Sequence, residues 1–427
     1  TDNINLSGTN GKIATLNAGA NSTNISLKAS DNTITTLNAN DKGSTINIAS
    51  GSGTITTIEG KSGADSISIG KGNTVNEIKT GTGAISIDGE GTISKVTVSQ
   101  NASGDISIGN GTKTTVSTLQ AGNNGTNNQN INLANGSTIS TLEAKSGGAI
   151  TLNGNGEVST LDLTGNSTEN ITIANGASVK NFTTDQQGND NITVASGGKL
   201  GSGTELNFNG GNDKLEVQSG GDISTITTIT MGDGSGSVTL KDGAKANKLA
   251  TINLGNGDNT LDLGISGAAN GITVSGGSGT DTIKVSGAGK ITTLNAGKND
   301  TKITLENGGS ISTINVDNNT GSTNNISVSG SGHITKIAGN TQNDTITLGE
   351  NITVNTIDTG ANNSMTINGG NITTLSATAT GNVSVTVNQK AHITTLDTSN
   401  TAGAVTISGA STVDSLKAAG AVTISGA

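Results

Sequence analysis

The sequence predicts an all-β fold, a parallel β-solenoid (β-helix) of roughly 20 turns with about 21 residues per turn. Three observations predict it. An apolar–polar–apolar triplet recurs along the whole chain. A second motif, apolar-x-x-apolar-x-small, lies between successive triplets. The composition holds 65 Gly and 2 Phe but no Pro, Trp or Tyr in 427 residues, so any core must be built from small aliphatics in thin slices.

The triplet appears as Ile4–Leu6, Ile25–Leu27, Ile46–Ile48, Ile67–Ile69, Ile85–Ile87 and Ile106–Ile108. Later copies begin at Ile131, Ile150, Ile171, Ile192, Leu215, Val238, Leu261, Ile283 and Ile303, and then at Ile326, Ile346, Met365, Val383, Val405 and Val422. Alternation within a triplet is the period of a strand. The second motif is seen in Ile13-Ala-Thr-Leu16, Ile34-Thr-Thr-Leu37, Ile139-Ser-Thr-Leu142 and Ile291-Thr-Thr-Leu294. Its three-residue step breaks the strand period and predicts a corner. Thr, Ser, Ile and Val fill the strands, as β propensity favours, while Gly and Asn fill the corners. Equivalent Asn residues are expected to form side-chain ladders. The absence of Pro suits unbroken pairing.

The sequence reads as one elongated solenoid over 1–427. The weakest register lies at 197–275, where a bend or an inserted loop is expected. The start at Thr1-Asp-Asn-Ile4 and the repeat of 402–410 in Ala419–Ala427 suggest a segment cut from a longer protein.

Composition also excludes classes of function. The absence of Cys rules out disulfides and thiolate metal sites. A formal net charge of -10, no Arg and almost no aromatic rings argue against nucleic-acid binding. The usual acid–base and nucleophile partners are scarce, so no enzyme is expected. No apolar run is long enough to span a membrane as a helix.

The most specific local signal is Gly276-Gly277-Ser-Gly279-Thr-Asp281-Thr-Ile283-Lys. It fits the Gly-Gly-x-Gly-x-Asp-x-apolar-x nonapeptide of calcium-binding β-rolls at every defined position. Gly60-Lys-Ser-Gly-Ala-Asp65-Ser-Ile67-Ser fits at all but one. Shorter relatives end in Asp190, Asp213 and Asp344, and Asp190 and Asp213 fall on neighbouring turns. Glycine lets carbonyls turn toward an ion, and aspartate adds a hard, charged oxygen. Calcium is therefore a candidate cofactor, with Asp65, Asp190, Asp213, Gly276, Gly277, Gly279, Asp281 and Asp344 as candidate metal-site residues. The competing reading makes the same loops plain β-corners whose Asp side chains bond local amides.

Two further patterns point to no site. Thr pairs in the second motif form an outward array, interrupted at Glu77, Lys95, Asn181, Lys336 and Asp414, which reads as β-branched filler. His333 and His392 take equivalent places three turns apart, too far for one metal.

In composition and style of repeat the protein resembles secreted bacterial surface proteins. The Gly276–Lys284 and Gly60–Ser68 segments resemble the repeats of Gram-negative surface-layer (S-layer) proteins that carry RTX loops and leave by type I secretion. The passengers of autotransporter and filamentous-hemagglutinin adhesins are similar in repeat style. The resemblance implies a secreted, extracellular structural protein on the bacterial cell surface, self-assembling into a layer and stabilised by calcium. Its partners would be copies of itself, with cell-surface glycan or lipopolysaccharide held through regions outside this sequence. The adhesin resemblance implies instead a stalk that projects a binding tip.

Overall fold

The computed structural model describes residues 1–100, 102–122, 128–145, 148–165, 168–185, 187–267, 271–316, 324–361, 364–378 and 382–425. Parts of the weak stretch at 197–275 and of the terminal repeat thus lie outside the described residues. The protein is an all-β parallel β-solenoid of about 19 turns, each of about 21 residues. It divides into two compact units: Thr1–Gly203 with Gly220–Ile223, and Thr204–Ser219 with Ser224–Ala427.

In the first unit each turn contributes one strand to each of two faces. One face begins with Asp2–Leu6 and Ser22–Leu27 and runs to Asn189–Val194. The other is a 10-stranded sheet that begins with Lys12–Asn17 and ends with Lys199–Leu200. Every pair is parallel and joins one turn to the next, as in Ile4↔Ile25 and Ile34↔Ile55. Inward side chains of both faces fill the space between them. Ile25, Leu27, Ile34 and Leu37 are at most 1% exposed. Each such burial is worth about 1.5–3 kcal/mol, and each requires the turns above and below.

The second motif makes a corner without ending the strand. In Thr33–Asn38 the side chains of Ile34 and Leu37 point inward, Thr35 is exposed and Thr36 is half-buried. Pairing to the next turn skips Thr35. Two successive outward residues turn the backbone there, so the three-residue step is a bend within one strand.

The second unit repeats this plan. One face runs from Lys214–Val217 to Val422–Ile424, and the other from Glu205–Asn207 to Thr412–Ala418. Its first turns are longer: Leu215 pairs with Val238 and Val238 with Leu261, a step of 23 residues, while Ile283 pairs with Ile303 at a step of 20. The extra residues carry their own inward apolar side chains, among them Phe208, Ile226, Met231 and Leu249. This is why the second motif fades between 197 and 275 while the core does not.

The triplet register differs from the sequence reading at several turns. Ile25 pairs with Ile48 rather than Ile46, Ile131 with Leu152 rather than Ile150, Ile303 with Val328 rather than Ile326, and Met365 with Val385 rather than Val383. Each discrepancy is two residues. A slip of two keeps every side chain on its own face, so the apolar pattern cannot distinguish the two registers. Corner length decides between them.

Replacing one inward aliphatic should open a cavity that a single turn cannot close. Leu37→Ala in the first unit and Leu294→Ala in the second should each destabilise by about 2–5 kcal/mol. Thr35→Ala, at the unpaired corner, should stay within about 0.5 kcal/mol. Chemical denaturation midpoints of the three variants measure this directly.

Candidate functional site

Leaving a ladder at a corner strands backbone N–H groups inside the solenoid, where each needs an acceptor. The sequence supplies one from the following turn. Asn32, fully buried, accepts the Gly11 N–H at 2.9 Å and donates to the Leu6 carbonyl at 2.7 Å. Asn73 accepts the Gly53 N–H at 3.2 Å and donates to the Ala49 and Gly70 carbonyls at 2.7 and 3.1 Å. Ser137 accepts the Thr114 N–H at 3.1 Å. In the second unit Asn259 accepts the Gly236 N–H at 2.8 Å and donates to the Gly257 carbonyl at 2.8 Å.

The candidate calcium residues belong to this inward set. Asp65 is 5% exposed and Asp281 is 1% exposed. Asp65 Oδ1 accepts the Ser44 N–H from the preceding turn at 2.9 Å, and Oδ2 accepts the Lys61 N–H at 3.4 Å. Asp281 Oδ1 accepts both the backbone N–H and the side-chain amide of Asn259, at 3.3 and 3.2 Å. Its Oδ2 sits where a Cβ on Gly276 would stand, and close to Gly297.

The glycines of the nonapeptide have a steric reason of their own. A Cβ on Gly277 would meet the Gly255 carbonyl oxygen. One on Gly279 would meet the Gly257 oxygen, and Gly279 also has φ 113°. Successive loops stack backbone on backbone, so only glycine fits.

The other candidates are equally buried. Asp190 is in the first unit, and its ladder neighbour is Glu169, which is 2% exposed. Asp213 is in the second unit and is 1% exposed. Asp344, also in the second unit, has Asn324 and Met365 as ladder neighbours, and Asp281 has Thr301. Among the described residues no group of three or more His, Asp or Glu is placed to hold a metal ion.

A calcium ion takes six to eight oxygens in about one coordination shell. At Asp281 one carboxylate faces inward, and its Oδ1 already receives two N–H donors. At Asp65 both oxygens receive backbone N–H donors. At Asp65 and at Asp281 Oδ1 the donors around the carboxylate suit amide capture at a corner.

Sequence reasoning missed two acids. Glu169 follows no Gly-rich loop, but it stands two residues before Ile171, the same inward place as Asp190 before Ile192. Asp88 is the other. Burial pushes its carboxyl up, but bonds from the Thr112 hydroxyl, the Thr112 and Gly89 N–H groups and the Gly111 N–H outweigh that and hold it below the ordinary carboxylate range.

Outward residues form rows. Asn24 donates to Asn3 at 2.9 Å and Asn47 to Asn24 at 3.0 Å; Asn315 donates to Asn295 at 2.9 Å. Lys79 pairs with Glu59, and Lys241 with Asp262, each at 2.9 Å. Such exposed pairs are worth about 0–1 kcal/mol. A shallow groove on the first unit is floored by the row Thr45, Ser66, Ser86 and Ser107. His333 lies in one outward row with Thr353, Asn371 and His392. His392 faces Asp414 at 3.2 Å.

No protein-family model matches this protein, and no curated protein or solved structure matches it.

Burial raises the carboxyls of Asp65 and Asp281 above the ordinary carboxylate range; amide donors oppose this at both, and nearby Asp258 adds to it at Asp281. The folded state then holds these protons more tightly than the unfolded state does. Stability should rise as pH falls through the raised folded values, and the gain should level off near the unfolded pKa of about 3.9. Asp281→Asn should flatten part of that profile, while Asp281→Ala should cost about 1–3 kcal/mol at neutral pH by stranding the Asn259 donors. Melting temperatures between neutral pH and pH about 4 provide the readout. A calcium-dependent rise in melting temperature, lost in Asp281→Ala, would count against the corner assignment.

Proposed function

We propose that this is a structural, non-catalytic extracellular protein that forms or supports a self-assembling bacterial cell-surface layer. The observation that carries the reading is the stacking of like polar side chains in register on the outward faces. The amide row Asn3–Asn24–Asn47 runs through three successive turns and the hydroxyl row Thr45–Ser66–Ser86–Ser107 through four. Turns stack at about 4.8 Å, so a second copy laid alongside meets the same chemistry at each step. Inward positions are filled by aliphatics and corner caps, which leaves the outward rows as the part available to a partner. Low charge density favours such lateral contact, since 13% charged residues give little repulsion between copies.

The composition and the repeat style support the same reading, and the adhesin stalk is the competing outcome. Negative-stain electron microscopy of the full secreted protein, with calcium and with a chelator, separates them. Ordered two-dimensional sheets are expected, and they should survive chelation. Isolated particles in both conditions would point to a stalk. Sheets that dissolve on chelation would retain the layer and return the Gly–Asp loops to metal binding.

A further inference from the structure

Asn-Gly corners recur along the sequence, and the structure sorts them by what their amides do. Spontaneous deamidation needs the backbone nitrogen of the glycine as nucleophile and the side-chain amide of the asparagine as electrophile. A nitrogen whose N–H is committed to the next turn is withdrawn from that reaction until the turn opens. Gly11 donates to Asn32 Oδ1 at 2.9 Å. Gly156, Gly176, Gly257 and Gly369 donate to backbone carbonyls at 3.2, 3.0, 2.6 and 3.0 Å. Three of these corners are tied through the asparagine side chain as well: Asn175 donates to Asn153, Asn256 to Asp233, and Asn368 to Thr347.

Two corners differ. Asn135–Gly136 and Asn307–Gly308 are exposed at both residues. Each corner is closed by the residues around it, through the Ser137 N–H to the Ala134 carbonyl at 3.0 Å and the Gly309 N–H to the Glu306 carbonyl at 2.9 Å. Among the described residues the N–H groups of Gly136 and Gly308 make no hydrogen bond, and neither do the side-chain amides of Asn135 and Asn307.

We infer that, among the described residues, Asn135 and Asn307 are the sites at which the folded protein modifies itself by deamidation. The glycine nitrogen, having lost its proton to solvent base, attacks Cγ of the asparagine. A bond forms between that nitrogen and Cγ, the bond from Cγ to Nδ2 breaks, and ammonia leaves. Water then opens the cyclic imide to aspartate or to its β-linked isomer. Either product adds one negative charge to a corner, and the isomer inserts one extra carbon into the main chain there.

The test is peptide mapping by mass spectrometry after incubating the whole protein at mildly alkaline pH, folded and in urea. In the folded protein Asn135 and Asn307 should convert at least about tenfold faster than Asn175, Asn256 and Asn368, because the tied corners react only from opened states. In urea the five rates should converge. Equal folded-state rates, or earlier conversion at a tied corner, would overturn the assignment. So would a folded protein that leaves Asn135 and Asn307 intact while both convert in urea.

Discussion

Everything in this molecule depends on how the backbone is satisfied where a strand bends. Parallel ladders take care of the strands, but a solenoid turn has corners, and each corner leaves N–H groups facing a dry interior. The solution is borrowed from the next turn. Asn32, Asn73, Ser137 and Asn259 each reach back one turn and accept a backbone N–H there. Pairing, packing and corner capping therefore run in the same direction, from turn to turn. No turn is complete alone, which is the energetic definition of a repeat fold.

Asp65 and Asp281 fit this scheme as acidic versions of the same cap. A carboxylate accepts more strongly than an amide but brings a charge into a poor solvent, and burial raises both groups accordingly. Asn259 meets the same need without a charge, and it is itself the residue that Asp281 caps. The Gly–Asp loops are thus chemically continuous with the Gly–Asn loops.

Most of the fold was legible in the residues. Ile34 and Leu37 announce a bent strand through their three-residue step, and Ile25 and Leu27 announce a straight one through alternation. Register was legible only modulo two, because Ile46 and Ile48 are equivalent to a pattern and are distinguished by corner length alone. The loops were recognised as special, but their glycines were ambiguous. Gly277 and Gly279 serve ion binding and backbone stacking equally well on paper, and the structure adds that a Cβ at either would meet the Gly255 or Gly257 carbonyl. Glu169 escaped notice because its loop holds a single glycine, Gly165, and no aspartate; its place two residues ahead of a triplet was the available signal.

The indifference of the faces to a two-residue slip has an evolutionary side. Turns of 20 and of 23 residues coexist here with the same inward alternation on their paired strands. A corner can gain or lose residues, and the strands on either side re-engage without disturbing their neighbours. Length variation would then be absorbed where it arises rather than transmitted from turn to turn. Lineages of such a protein should diverge quickly in corner sequence while keeping an alternating skeleton too simple to align.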